Sequence, residues 1–187
     1  AHWLTSCKIL QESLRQADQY LFAEVGSAWG LDRSRFHDNW EQREQTPQVM
    51  TGGVFLADYD LDGKMDMLVT DRKGNVLYHQ VAPGKFEEVT WLAGLDGLPP
   101  GIPGAWADLD GDAYPDLIAG NQIYRNTGKG TFQLVGALEL SHVNRINGFA
   151  IADYDRDGLL DIYVERLAPD PLEGKGNSSW IDDRSGF

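Results

Sequence analysis

Three stretches of the sequence each place four aspartates within nine residues: Asp58, Asp60, Asp62 and Asp66; Asp108, Asp110, Asp112 and Asp116; and Asp153, Asp155, Asp157 and Asp161. Carboxylates at relative positions 1, 3, 5 and 9 of so short a segment repel one another strongly unless positive charge lies between them. A hard divalent cation meets that need. Calcium takes about six to eight oxygens at roughly 2.3–2.6 Å in a tolerant geometry. Four carboxylates, an inward carbonyl at position 7 (Lys64, Tyr114 or Leu159) and water supply that number. Magnesium holds a stricter octahedron and keeps more of its water, so it fits such a loop less well. Zinc is disfavoured, because no histidine or cysteine lies inside any of the three loops.

The elements around the loops decide what kind of site this is. A helix–loop–helix calcium motif needs a bidentate glutamate at position 12 and a helix on each side. Position 12 here is Val69, Ala119 or Val164, and the flanks are short apolar or β-branched runs such as 54–57 and 67–70. These read as strands, so each loop joins two strands. Beyond the first loop, residues 72–75 form a turn signal ahead of a third run at 76–81. Pro83-Gly84-Lys85 then turns into a fourth at 86–90. The first aspartates of the loops are 50 and then 45 residues apart, which is a propeller-blade period. A fainter echo runs between them: Tyr78 to Phe86 parallels Tyr124 to Phe132, and Phe86 to Asp96 parallels Phe22 to Asp32. The last of these places the end of an earlier repeat before the first loop.

The N-terminus has a different period. Leu10, Leu14, Ala17 and Leu21 fall at i, i+4, i+7 and i+11, which predicts a helix from Thr5 or Ser6 to Leu21 with those hydroxyls as caps. Such a helix either packs on the first repeat or docks a partner. The organisation expected is therefore a helical segment over 1–22 and a repeat region over 23–187, with a Pro-, Gly-, Ser- and Asp-rich tail from 168 read as loop.

A strand ending in Ala-Asp, an Asp-x-Asp-x-Asp-Gly-x-x-Asp loop, an apolar strand, then a Tyr-(Arg/His)-(Asn/Gln) hairpin ending in Phe: this order resembles the FG-GAP/VCBS repeat family. That family includes the integrin α-subunit propeller and bacterial secreted proteins of the ASPIC/UnbV type. The resemblance covers residues 50–165 well and 20–50 weakly. It implies an all-β fold, a partial β-propeller of four-stranded blades with calcium loops, to which the sequence adds the short N-terminal α-helix. It also implies up to three calcium ions held by the twelve aspartates and the position-7 carbonyls, and a role in adhesion or assembly outside the cytoplasm: secreted, periplasmic or at the cell surface. The second loop departs from the pattern. Ala113 stands where the others have Gly63 and Gly158, and if that position needs φ > 0 its β-carbon costs about 1 kcal/mol. Gly111 and Pro115 could also reshape that turn.

Composition narrows the function classes. The 187 residues carry 29 acids against 16 bases, a net charge of −13, which argues against a nucleic-acid partner. Twelve of the acids are in the loops, and the remaining 17 nearly balance the bases, so the acidity is concentrated at the candidate cation sites. No apolar run is long enough to span a bilayer. The single cysteine excludes an internal disulfide; Leu4-Thr5-Ser6-Cys7 is similar to a lipoprotein acylation site, but it lacks the basic and apolar regions of such a signal. A chain opening at Ala1 reads as processed or partial. At 45–50 residues per unit it holds fewer than the four to eight blades that close a propeller, so further blades, partner chains or a small open stack are expected.

Catalytic signatures are wanting. His2, His37, His79 and His142 are scattered, and no His-Glu-x-x-His, Gly-x-Ser-x-Gly or phosphate-binding glycine loop is present. Trp106, in the strand before the second loop, reads as core; the tryptophans at 3, 29, 40, 91 and 180 could offer a sugar-stacking surface. Asn177-Ser178-Ser179 is a glycosylation sequon, meaningful in a eukaryotic secretory setting. The leading expectation is a non-catalytic, calcium-binding interaction module whose partner is a protein or further blades. The alternatives are a propeller attached to or acting as a polysaccharide lyase or hydrolase, and an accessory subunit of a membrane-associated assembly docked through the N-terminal helix.

Overall fold

A computed structural model describes residues 23–37, 52–140 and 146–166, together with the backbone of Ser179–Ile181. The expected helix of 1–22, Cys7, His2 and His142 lie outside these residues. Strands β1 (Val54–Ala57), β2 (Asp66–Asp71), β3 (Gly74–Ala82) and β4 (Lys85–Glu88) form one antiparallel sheet in chain order. Strands β5 (Gly104–Ala107), β6 (Asp116–Ala119), β7 (Gln122–Asn126) and β8 (Phe132–Ala137) repeat it. A third sheet holds β9 (Ile146–Ala152), β10 (Asp161–Arg166) and β11 (Ser179–Ile181) in the order β11-β10-β9. Helical geometry among the described residues is confined to two 3-10 turns, Ser27–Trp29 and Arg33–Arg35.

Strand β4 ends at Glu88, short of the expected Thr90, and two further differences have a clear physical reason. Strand β3 begins at Gly74, because Arg72 and Lys73 alone reverse the chain between Asp71 and Gly74, which are paired. The tail is not loop throughout: Ser179–Ile181 pairs with β10 through Val164 and Ser179, Tyr163 and Trp180, and Ile162 and Ile181. A sheet edge presents unpaired N–H and C=O groups, and a short run able to extend can satisfy them despite loop-like surroundings.

Register explains the core. Pairing Phe55 with Leu68 and Leu68 with Leu77 sets these three on one face of the first sheet, since side chains alternate along a strand. That face meets the second sheet in a cluster of Tyr59, Leu68, Leu77, Ala93, Leu95, Leu117, Tyr124 and Phe132, with Phe55 and Trp106 packed against it. Trp106 is thus core, as its strand position predicts. β1 lies beside β5 and β5 beside β9, so the first strands of successive sheets are neighbours, as in blades arranged about an axis.

The segment after β4 closes the first sheet onto the second. Ala93 N–H donates to Val89 O, Gly94 N–H to Trp91 O and Leu95 N–H to Thr90 O, while Phe132 N–H donates to Ala93 O. The same turn occurs ahead of the first sheet, where Trp29 N–H donates to Val25 O, Gly30 N–H to Ser27 O and Leu31 N–H to Gly26 O. A β-carbon on Gly94 would lie 3.1 Å from Phe132 O, and one on Gly30 only 2.5 Å from Phe86 O. The sequence echo between 22–32 and 86–96 is therefore a structural one: residues 25–31 seat on the first sheet as 89–95 seat on the second.

Candidate metal centres

Each aspartate loop joins the first two strands of its sheet, and the three share one hydrogen-bond pattern. The position-1 carboxylate accepts from the amides at positions 5 and 6: Asp58 from Asp62 (3.0 Å) and Gly63 (2.9 Å), Asp108 from Asp112 (3.1 Å) and Ala113 (2.9 Å), and Asp153 from Asp157 (3.1 Å) and Gly158 (3.1 Å); Asp108 alone also accepts from Gly111 at position 4 (2.8 Å). The position-9 carboxylate accepts from the amide at position 2: Asp66 from Tyr59 (3.3 Å), Asp116 from Leu109 (3.0 Å) and Asp161 from Tyr154 (2.8 Å). In the first two sheets it also accepts from the third strand, Asp66 from Gln80 N–H (2.8 Å) and Asp116 from Asn126 N–H (2.7 Å). One carboxylate thereby ties together the loop, the second strand and the third.

Backbone angles follow the same repeat. Position 6 is left-handed in every loop, at Gly63 (φ 84°), Ala113 (φ 76°) and Gly158 (φ 94°), so Ala113 carries the strain that its sequence position raised. Position 4 is left-handed too, at Leu61 (φ 60°), Gly111 (φ 78°) and Arg156 (φ 65°). Gly111 is the residue type best suited to that position, and its N–H adds a bond to Asp108 Oδ1 (2.8 Å) that Leu61 and Arg156 do not make, while with Pro115 in place the bonds shared with the other loops are kept.

These turns bring positions 1, 3 and 9 together. In each of the triads Asp58-Asp60-Asp66, Asp108-Asp110-Asp116 and Asp153-Asp155-Asp161, one oxygen per residue lies within 4.8 Å of the others. Two oxygens each about 2.4 Å from a common ion can be at most twice that distance apart, so the spacing fits calcium. Position 5 stands outside the triads. Asp62, Asp112 and Asp157 instead accept from the amides of Lys64, Tyr114 and Leu159, each at 2.9 Å, and Lys64 also pairs with Asp62 through its ammonium.

Burial sets the electrostatics first and neighbouring carboxylates second. Asp66 and Asp116 are buried, and burial pushes both carboxyls above their ordinary range, against the lowering effect of their amide donors. The Tyr59 hydroxyl is pushed up first by burial and then by the charges of Asp66, Asp60 and Asp62. A cation among the triad oxygens would oppose both effects.

Two residues that the sequence reading did not single out reach the loops from the third strand. His79 Nδ1 lies 3.0 Å from Asp66 Oδ1 and 3.5 Å from Asp60 Oδ2. Arg125 Nε lies 2.5 Å from Asp110 Oδ2, with Nη2 3.9 Å from Asp112 Oδ2. No histidine lies inside a loop in sequence, but the fold brings His79 to the first one from the third strand. Tyr78-His79-Gln80 aligns with Tyr124-Arg125-Asn126 in sequence, and combining that alignment with the hairpin register would have found both residues.

A family model described as "FG-GAP-like repeat" matches residues 58–119 and 119–164, more than half of the chain. The chain belongs to this family. Its first matched FG-GAP-like unit begins at the first loop and runs through the second, and the next begins at the end of β6 and runs through the third, leaving 25–31 outside the matched span although their turn repeats that of 89–95. No curated protein matches the chain. Among solved structures, a lectin of Agrocybe aegerita, described as recognising non-reducing terminal N-acetylglucosamine, aligns with a TM-score of 0.42 at 20% identity, over 63% of this chain and 33% of the lectin. The chain thus spans about a third of that protein's length.

Proposed function

We propose that this FG-GAP-like chain is a non-catalytic interaction module whose blades are held by calcium, working outside the cytoplasm with a protein partner or further blades. The observation that carries the reading is the threefold recurrence of a triad of carboxylate oxygens within 4.8 Å, each held by the same set of backbone amides. Positions 1, 3 and 9 would hold the ion, with the position-5 carboxylates and the carbonyls of Lys64, Tyr114 and Leu159 completing the oxygen set. Calcium would supply the charge that lets buried Asp66 and Asp116 remain ionised while they tie strands together. The residues themselves supply preorganisation, because the amides that orient Asp58, Asp108 and Asp153 belong to the same turns.

Among the described residues no helix is long and apolar enough to cross a membrane. The non-catalytic reading is supported by the commitment of the clustered carboxylates to loop architecture. It is tested by incubating the chain with a glycan library, where cleavage of any member would replace it with the hydrolase or lyase alternative.

The calcium reading is tested by thermal unfolding in calcium and in chelator. At a free concentration of about 100 times Kd, each occupied site adds roughly 2.7 kcal/mol. Melting curves that coincide in calcium, magnesium and chelator, with no calcium in the purified protein, would overturn it.

A further inference from the structure

One register position on the third strand of each sheet faces the loop, and its residue differs between the two complete sheets. Met67 pairs with Tyr78, which puts His79 opposite Asp66; Leu117 pairs with Tyr124, which puts Arg125 opposite Asp116. The His79 ring is only 21% exposed and is held edge-on to Tyr59, with centroids 6.1 Å apart and planes at 68°. Its Nδ1 faces Asp60 and Asp66, and its Nε2 lies 4.0 Å from Asp62 Oδ2. One ring nitrogen and one oxygen from each of Asp60 and Asp62 lie within 4.8 Å of one another.

We propose that Asp60, Asp62 and His79 form a mixed nitrogen–oxygen site for a borderline divalent ion of the zinc class, overlapping the all-oxygen triad of the first loop. The proposal deepens the reading of these loops as cation sites and rests on it. Imidazole nitrogen favours zinc and its transition-metal neighbours, whereas calcium and magnesium prefer oxygen alone. Three protein donors with one position left for water is a regular zinc arrangement, and reaching it here requires the His79 ring and Asp62 to close from their 4.0 Å separation, with the Lys64 ammonium displaced from that carboxylate. Asp60 belongs to both triads, so the two ions compete for it. The second loop has no such option: Arg125 stands at the equivalent position, cannot donate a lone pair to a metal, and pairs its fixed charge with Asp110 and Asp112. The side chain at this position therefore selects the cation, a metal in the first loop and the guanidinium itself in the second.

The test uses the full chain, stripped with chelator and titrated separately with zinc and with calcium by calorimetry. Loss of a metal ligand costs at least what loss of an outer-shell partner does, so His79→Gln should weaken the tightest zinc site about tenfold or more. Arg125→His should add a second zinc equivalent. Asp62→Asn, on the loop rather than on the third strand, repeats the test should His79→Gln unfold, with the same tenfold loss expected. Zinc bound within about twofold of the parent by a folded His79→Gln or Asp62→Asn chain overturns the proposal. A chain stabilised by calcium but indifferent to His79 in zinc loses only this proposal; one that binds zinc through His79 but no calcium loses the calcium reading instead.

Discussion

Asn126 joins two blades, and its removal puts a number on that joint. Its side chain is 1% exposed. Nδ2 donates to Tyr59 O at 2.8 Å in the first loop and to Pro115 O at 3.0 Å in the second, and Oδ1 accepts from Gly128 N–H at 3.0 Å. Its backbone amide meanwhile donates to Asp116. Asn126→Ala keeps that amide bond and deletes the three side-chain bonds. At about 0.5–1.5 kcal/mol net for each, and with the buried Tyr59 carbonyl left without its donor, the expected loss is about 2–4 kcal/mol. That is a large part of a stability of roughly 5–15 kcal/mol. Asn126→Asp should be at least as costly, because it keeps the acceptor for Gly128 but turns a second oxygen toward two carbonyls. Urea unfolding in saturating calcium measures both variants, and a lower midpoint at unchanged slope identifies a loss of native stability. A cost for Asn126→Ala below about 0.5 kcal/mol, or an Asp variant milder than the Ala variant, would refute the reasoning.

The remaining predictions concern backbone positions, read by thermal unfolding. Ala113→Gly relieves a left-handed alanine worth about 1–2 kcal/mol and returns about 0.4–1 kcal/mol of chain entropy to the unfolded state, so a net gain near 0.5 kcal/mol is expected. Gly63→Ala and Gly158→Ala create that strain in the sister loops, where an added β-carbon meets nothing within 4 Å, and by the same balance should each lose about 0.5 kcal/mol. A loss at Ala113 with no change at the two glycines would contradict the shared turn geometry. Gly30→Ala forces a β-carbon to 2.5 Å from Phe86 O at a φ of +88° and should cost about 2 kcal/mol, with faster hydrogen exchange along β4. Gly97→Ala, in open space, serves as control and should change little.

Much of the fold could be read from the chain because its information is local. A nine-residue spacing of aspartates, β-branched runs on either side and glycines at the turns are contained within single hairpins. The repeat then multiplies a modest local signal into four-stranded units. The echo at 22–32 was legible for the same reason, since its turn is closed by bonds spanning three to five residues. Ala113 stood out against Gly63 and Gly158 by alignment alone, and its left-handed φ follows. β11 was hidden because its partner is a remote edge, and nothing in Ser179-Trp180-Ile181 names that edge.

The sequence by itself determined what kind of ion chemistry was available and how often it recurs, because carboxylate number and spacing within a turn are covalent facts. Only the tertiary structure decided how those carboxylates divide their work. Turn geometry gathers positions 1, 3 and 9 and turns position 5 to its own backbone. Hairpin register sets His79 over one loop and Arg125 over the next. Packing of Tyr59 against Trp106 and Phe132 anchors the first loop in the core between two blades. The physical reason is that such neighbours are brought together by strand pairing and sheet packing, whose partners no spacing along the chain records.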